Sequence, residues 1–152
     1  MAGLRSQQIK DVMTHDVVTL APTSKVTQAA EAMKSLNVGA IPICDGGRLL
    51  GMVTDRDLVV RVIAEHRNPE TETINNIMTT DVDYCYEDQT VEEAAHVMED
   101  RQVRRMPIVN HDKELVGIVS LGDVAVKGAD KSTTADALEQ ISQPIPPQRE
   151  GM

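Results

Sequence analysis

The chain has 152 residues and a net charge of −9, with 41% hydrophobic and 26% charged residues, a balance typical of a soluble globular protein. This length allows one compact domain or two very small ones. The negative charge repels polyanions and argues against DNA or RNA binding, although small nucleotides need only local positive charge. Tyr84 and Tyr86 are the two aromatic residues, so base stacking is not a major device and the core must be aliphatic.

The cysteines and the hydropathy pattern bear on the cellular compartment. Cys44 and Cys85 lack C-x-x-C spacing, and we interpret them as small buried residues in a reducing compartment, with a disulfide or thiol switch as the alternative. The N-terminus has no apolar signal region, and no stretch approaches 18 apolar residues. We therefore expect a cytoplasmic protein without a membrane anchor.

The first part of the chain predicts a series of short elements after a polar lead at residues 1–8. Apolar residues recur at helical spacing from Val26 until Asn37 and Gly39, which are helix-ending residues. A later helix is expected to bury one apolar face, formed by Leu58, Val59, Val62 and Ile63. In order, the predicted elements are a helical turn (9–14), a strand (16–20), a helix (from 26), a strand (40–44), a hairpin turn (45–48), a strand (49–53) and a helix (55–65).

The same series restarts 65 residues further along the chain, so that Ile9 aligns with Ile74 and Met33 with Met98. One extra residue in the second hairpin turn changes the separation to 66. This is an internal duplication. It predicts a first repeat at 9–67, a linker at 68–73 and a second repeat at 74–130, each too small to be a secure domain alone. The repeats should therefore pack with approximate twofold symmetry around a shared core and form two clefts.

The strongest repeated motif is a turn from strand to helix, Gly51-Met-Val-Thr54-Asp-Arg-Asp57, which returns as Gly117-Ile-Val-Ser120-Leu-Gly-Asp123. The hydroxyl group can donate to a phosphate oxygen, the aspartate can accept from a diol such as ribose, and backbone N–H groups at a helix start favour anions. The alternative is structural: the hydroxyl residue or Asp55 caps the helix and Asp57 favours its dipole.

These motifs together resemble a tandem pair of CBS domains (the cystathionine β-synthase type module). The resemblance covers about residues 9–128. It rests on D-V-V-T-L-x-P with V-x-x-A-A-x-x-M, on G-A-I-P-I and on G-M-V-T-D-R-D. Their counterparts in the second repeat are D-V-D-Y-C, V-E-E-A-A-x-x-M, R-R-M-P-I and G-I-V-S-L-G-D. It implies a mixed α/β (α+β) fold of two β-α-β-β-α repeats.

The resemblance also implies a ligand, usually AMP, ADP or ATP, and no required cofactor. In similar modules the hydroxyl residue and aspartate hold phosphate and ribose, while the base lies against the first strand and the residues around the proline. Carried over to this chain, the implied contacts are Thr54, Asp57, Ser120 and Asp123 for phosphate and ribose, and Val17, Val18, Ile41 and Pro42, or Val82, Asp83, Met106 and Pro107, for the base.

The two clefts should differ in charge. Arg104 and Arg105 stand where the first repeat has Gly39 and Ala40, and basic residues at this place reach ligand phosphates in similar modules. Alternatively, these arginines pair with neighbouring acids or cover apolar surface with their stems. Asp83 can repel a phosphate or accept a hydrogen bond from an adenine amino group.

Three functions are compatible with the sequence. The first is a non-catalytic regulatory module that binds an adenine nucleotide and changes the shape of a homodimer, an assembly that the resemblance implies. The second is a scaffold without a ligand, in which the polar tail at 131–152, with a possible short helix at 132–141 and a disordered end, engages a protein partner. The third is an enzyme, such as a weak nucleotide hydrolase. Common catalytic motifs and metal-ligand spacings are absent from the sequence, and the four histidines are interpreted as surface residues.

Overall fold

The computed structural model describes residues 7–127, and the predicted helix and end of the tail lie outside this range. The first repeat contains a 3-10 turn (Ile9–Asp11), α1 (Val26–Leu36), β1 (Ala40–Asp45), β2 (Arg48–Thr54) and α2 (Asp55–Asp57), which continues as a π-helix (Leu58–Ile63). The second contains a 3-10 turn (Ile74–Asn76), β3 (Cys85–Tyr86), α3 (Val91–Arg101), β4 (Arg105–Val109), β5 (Leu115–Ser120) and α4 (Leu121–Lys127). No helix within these residues combines the length and apolar character needed to cross a bilayer.

Each repeat is built on an antiparallel hairpin. β1 pairs with β2, and β4 pairs with β5, which confirms the mixed α/β fold with two similar units. α1 ends at Asn37 and α3 at Gln102, both in the left-handed conformation, so the predicted end of the first helix is confirmed. Both cysteines are free thiols; Cys85 is buried, and burial raises its pKa to about 11.

The predicted strand from Asp16 to Leu20 is wrong, because only Leu20 pairs, through a parallel bridge to Ile43. Two prolines explain why the ladder stops. Extending it towards Asp16 would require an N–H donor at Pro42, and extending it the other way would require one at Pro22. In the second repeat Glu87 replaces the second proline and donates to the Val109 carbonyl at 3.0 Å, so β3 reaches two residues.

The predicted helix at 55–65 begins at Asp55, but Leu58–Ile63 is wound as a π-helix. Its wider turns carry i→i+5 hydrogen bonds, such as that from the Ala64 N–H to the Val59 carbonyl at 2.8 Å. The predicted buried face is therefore only partly correct. Val62 is buried, whereas Val59 and Ile63 are 59% and 61% exposed.

The hydrophobic cores cross between the repeats. Ile9, Val12 and Met13 pack with residues of the second repeat, and Ile74 and Ile77 pack with residues of the first. Matching backbone bridges hold the crossed segments, Thr14 with Ile118 and Met52 with Thr79. Each repeat therefore contributes residues to the other's core. The two bridges lie at equivalent positions of the repeats, as pseudo-twofold symmetry requires.

Candidate functional site

The turn from strand to helix forms the same capping box in both repeats. The Asp57 N–H donates to Thr54 Oγ1 at 3.1 Å, and the Thr54 N–H donates to Asp57 Oδ2 at 2.9 Å. The corresponding distances between Ser120 and Asp123 are both 3.0 Å. The structural role of these residues is thus present. A carboxylate offers about four lone-pair positions, so capping does not exhaust its capacity to accept hydrogen bonds.

The surroundings of the two aspartates differ. Asp57 is 6% exposed, and the Thr79 hydroxyl donates to its two carboxylate oxygens at 3.2 and 3.3 Å. Arg61 Nε lies 3.6 Å from Asp57 Oδ1. The first-repeat aspartate is thus enclosed by protein partners.

Asp123 is half-buried and borders an open cavity of about 420 Å³, a size within the range of small-molecule sites. We call this cavity the Asp123 cleft. Its lining comes from both repeats and contains apolar as well as polar side chains. The lining residues are Thr14, Asp16, Val17, Val18, Leu36, Val38, Ala40, Ile41, Pro42, Arg105, Ile118, Ser120 and Asp123.

Seven residues predicted from the sequence meet in the Asp123 cleft. Four come from the first repeat and three from the second, because the crossed arrangement brings the β1 region opposite the β5–α4 turn. Arg105 is paired in register with Ser120 across β4 and β5, which accounts for its place at the cleft. The seven residues are Val17, Val18, Ile41, Pro42, Arg105, Ser120 and Asp123.

The other predicted residues lie elsewhere. Asp83 Oδ1 forms an ion pair with Arg101 Nε at 3.2 Å, a pairing that the sequence analysis did not anticipate. Arg104 is exposed but does not line the cleft, and Val82 is half-buried. Met106 belongs to the hydrophobic core, and Pro107 is buried. The structure does not bring these residues into the Asp123 cleft, and their predicted ligand contacts stay predictions.

Several lining residues were missed by the sequence analysis, among them Thr14, Asp16 and Ile118. A signal for Thr14 was present, since Met13-Thr14 recurs as Met78-Thr79. This repeated threonine lies at the crossing between repeats, where its backbone pairs with the other repeat's strand. The place of Thr14 in the cleft could not be predicted from the first repeat alone, because it depends on contacts with the second.

The comparisons with known proteins agree with the duplicated architecture. A model of the CBS domain family matches residues 9–64 and 74–129. The chain belongs to the CBS domain family. The CBS domain-containing protein YhcV of Bacillus subtilis is 40% identical over 134 residues, which cover 88% of this chain and 94% of that protein.

Two solved structures show related CBS pairs. Hypoxic Response Protein I, crystallised with two coordinated zinc ions, is 35% identical with a TM-score of 0.72, covering 80% of this chain and 98% of that one. The CBS domain pair of MJ0100, in complex with 5'-methylthioadenosine and S-adenosyl-L-methionine, is 27% identical with a TM-score of 0.67, covering 80% of this chain and 95% of that one. Across residues 7–127 of the present CBS pair, no three His, Cys, Asp or Glu side chains are grouped as a metal ion requires.

Proposed function

We propose that this CBS pair is a non-catalytic regulatory module that binds an adenosine-containing nucleotide, AMP, ADP or ATP, in the Asp123 cleft. The observation that carries the proposal is the meeting of an apolar wall, a hydroxyl, a carboxylate and an arginine in one cavity of about 420 Å³. The related MJ0100 pair, which binds two adenosine derivatives, supports the ligand class.

The cleft offers a separate partner for each part of a nucleotide. Ile41 and Pro42, with Val17 and Val18, give the adenine ring an apolar surface. The Asp123 carboxylate accepts hydrogen bonds from the ribose hydroxyls. Arg105 is the one cationic side chain among the described lining residues, and it contributes a charge-assisted contact to phosphate.

We expect one nucleotide per chain at this cleft rather than two equivalent sites. Asp57 occupies the position in the first repeat that corresponds to Asp123 in the second. It is buried, accepts a hydrogen bond from the Thr79 hydroxyl and forms an ion pair with Arg61, so a ribose would have to displace these internal partners. That displacement leaves a buried polar group without its hydrogen bonds and weakens binding there.

The proposal includes a homodimer formed through an exposed apolar surface on the π-helix. Val59, Val60 and Ile63 are 59%, 43% and 61% exposed, and we call them the Val59 patch. Contiguous apolar residues on a soluble protein favour an interaction surface. A nucleotide that contacts both repeats changes their relative angle if it binds the two arrangements with different affinity, and the dimer transmits that change.

Isothermal titration calorimetry with AMP, ADP and ATP tests the nucleotide proposal. We expect Asp123→Ala to weaken binding about tenfold, the effect of losing a contact worth about 1.4 kcal/mol. The matched variant Asp57→Ala should leave the affinity unchanged. Unchanged affinity in Asp123→Ala with a loss in Asp57→Ala would assign the nucleotide to the other turn. No binding of any of the three by the wild type would favour the scaffold without a ligand.

The dimer is tested separately by light scattering after size-exclusion chromatography. Val59→Lys/Ile63→Lys should convert a dimer into a monomer, because it places two charges in the apolar contact. The exposed substitution Ala64→Lys lies on the same segment outside the Val59 patch and serves as the control. A wild-type monomer at all protein concentrations would refute this part of the proposal.

A further inference from the structure

A second cavity, of about 500 Å³, borders Asp16 and Val17 and is otherwise distinct from the Asp123 cleft. We call it the Thr19 groove, because Thr19 and Ala21 of the connection before α1 line it. The groove is also lined by Cys44 and Gly46 of the first hairpin and by Leu115 of β5. Val17 of the proposed adenine surface borders both cavities, but the proposed phosphate and ribose contacts Arg105, Ser120 and Asp123 do not line this groove.

The duplication shows what stands at the corresponding place in the second repeat. Leu20 bridges Ile43 in parallel, and Cys85 pairs with Ile108 in the same way, so the two segments occupy equivalent positions. The two repeats are offset by 65 residues along the chain. With this offset, Thr19 aligns with Tyr84, Ala21 with Tyr86 and Gly46 with His111. Three small residues around the groove are therefore replaced by three rings.

The three rings pack together. Tyr84 and Tyr86 meet edge to face with centroids 5.8 Å apart, and the His111 ring stacks on Tyr86 at 4.6 Å and 11°. The Lys113 ammonium lies 5.5 Å from the centre of the Tyr84 ring. The second repeat thus fills this position with three rings and one nearby ammonium group.

The first repeat leaves the same position open. A Cβ atom on Gly46 would have no heavy atom within 4 Å, so the hairpin turn of the first repeat is open at this point. Leu20, Leu115 and Val116 contribute apolar surface to the groove, and Thr19 also lines it. Asp16 is the one charged side chain among the described lining residues.

We propose that the Thr19 groove binds a small aromatic amine, a single ring that carries an ammonium group. The ring takes the place that Tyr84 and Tyr86 fill in the second repeat. The ammonium group pairs with the Asp16 carboxylate, which lines the groove. This site goes beyond the proposed nucleotide site and does not rest on it.

Tyramine is a suitable probe, because it combines a phenol ring with an amine. Its binding can be followed by saturation-transfer NMR and calorimetry. The variant Thr19→Tyr/Ala21→Tyr fills the groove with the residues of the second repeat. It should weaken tyramine binding about tenfold or more, because the ligand ring can then no longer be buried in the groove. Thr23→Tyr adds a ring to an exposed residue outside the groove and should bind tyramine as the wild type does.

The charge preference is tested by Asp16→Asn and by 4-hydroxyphenylacetate, a similar ring with a carboxylate. Asp16 has a φ of 54°, a conformation that asparagine adopts readily, so this substitution removes the charge with little strain. We expect wild-type protein to prefer tyramine and Asp16→Asn to lose that preference. Equal binding of both probes by the wild type would overturn the proposed amine.

Two results would overturn the site itself. One is the absence of tyramine binding to the wild type at millimolar concentration. The other is unchanged tyramine binding in a folded Thr19→Tyr/Ala21→Tyr variant, with folding checked by circular dichroism. If the double variant does not fold, Ala21→Leu at an exposed position carries the same test. Neither result affects the nucleotide proposal, because neither Thr19 nor Ala21 lines the Asp123 cleft.

Discussion

The two turns from strand to helix share their local geometry and differ in what packs around them. Both hold the hydroxyl and the aspartate in reciprocal hydrogen bonds of 2.9 to 3.1 Å. Asp57, however, is 6% exposed and enclosed by Thr79 and Arg61, whereas Asp123 borders a cavity of about 420 Å³. Identical caps can therefore stand in a closed and in an open environment.

This difference shows that the motif fixes the backbone and its neighbours decide whether a ligand has room. The same holds at the other end of the repeats, where Tyr84, Tyr86 and His111 pack together and their counterparts Thr19, Ala21 and Gly46 line a groove. A duplicated chain can thus keep one half for internal packing and leave the other half open.

The largest effect that separates the two repeats is expected at the crossing bridges. A side chain on Gly51 would meet the Thr79 carbonyl and other backbone atoms, which cannot move without disrupting the bridge to Met52. On Gly117 it would meet the Met13 sulfur at 2.6 Å and the Thr14 carbonyl at 2.8 Å, and part of that strain is relieved by the flexible methionine. We expect Gly51→Ala to cost about 3 kcal/mol of unfolding free energy and Gly117→Ala about 2 kcal/mol.

Thermal and urea unfolding followed by circular dichroism measure both costs. Gly122→Ala is the matched control, because its nearest contact would be the Ser120 hydroxyl at an ordinary 3.5 Å and alanine favours the helix. Equal stability of Gly51→Ala and the wild type would mean that the crossing is looser than the structure indicates.

The second effect concerns Asp57, the aspartate of the enclosed capping box. Asp57→Ala removes the carboxylate that accepts from the Thr54 N–H in the capping box and leaves the Thr79 hydroxyl without its acceptor, so we expect a loss of about 2 kcal/mol. Thr79→Val on the wild-type background removes only the second of these contacts. A double-mutant cycle between the two positions should show coupling, and additive losses would contradict the proposed enclosure of Asp57.

Much of this architecture follows from the sequence, because the duplication is explicit in it. The hairpins, the helix end at Asn37 and the start of α2 at Asp55 all depend on local signals, and the structure contains them. The prediction of a strand at 16–20 was wrong. Its pairing would need backbone N–H donors at Pro22 and Pro42, which proline lacks. Knowing which residues pair requires the tertiary arrangement.

The composition of the cleft was harder to predict than its motifs. Each repeat supplies half of the site, so Val17 and Ile41 meet Ser120 and Asp123, which are far apart in sequence. The π-helix was likewise hidden, because a period of 3.6 residues places Val59 and Ile63 on the buried face, and the wider winding exposes them. Crossing and winding are properties of packing that the pattern of one repeat does not contain.

The third prediction separates the neighbouring arginines, on the premise that the Asp123 cleft binds a nucleotide. Arg105 lines the cleft and Arg104 does not. Arg105→Ala should therefore weaken ATP binding about tenfold, and Arg104→Ala should change it little. Calorimetry with AMP, ADP and ATP sharpens the test, since the loss should grow with phosphate charge. A larger loss in Arg104→Ala would place the phosphates outside the cleft described here.

The smallest expected effect lies in the exposed pair of His111 and Asp88, which has no counterpart at Gly46. The Asp88 carboxylate, 2.9 Å from His111 Nε2, raises the pKa of His111, and the histidine lowers the pKa of Asp88. The histidine's contribution to stability is full below its unfolded pKa and is lost as pH rises through the raised folded value. The aspartate's contribution is lost as pH falls through its lowered pKa.

The pair therefore stabilises the second repeat most in the mildly acidic range between those two pKa values. Asp88→Asn should lower the pKa of His111 in an NMR titration, with the other three histidines as internal references. The difference in Tm between wild type and variant should be small, because the pair is exposed. It should shrink as pH rises past the His111 pKa, because the histidine then loses its charge. An unchanged His111 titration in Asp88→Asn would mean that stacking on Tyr86, rather than the ion pair, fixes the ring in its place.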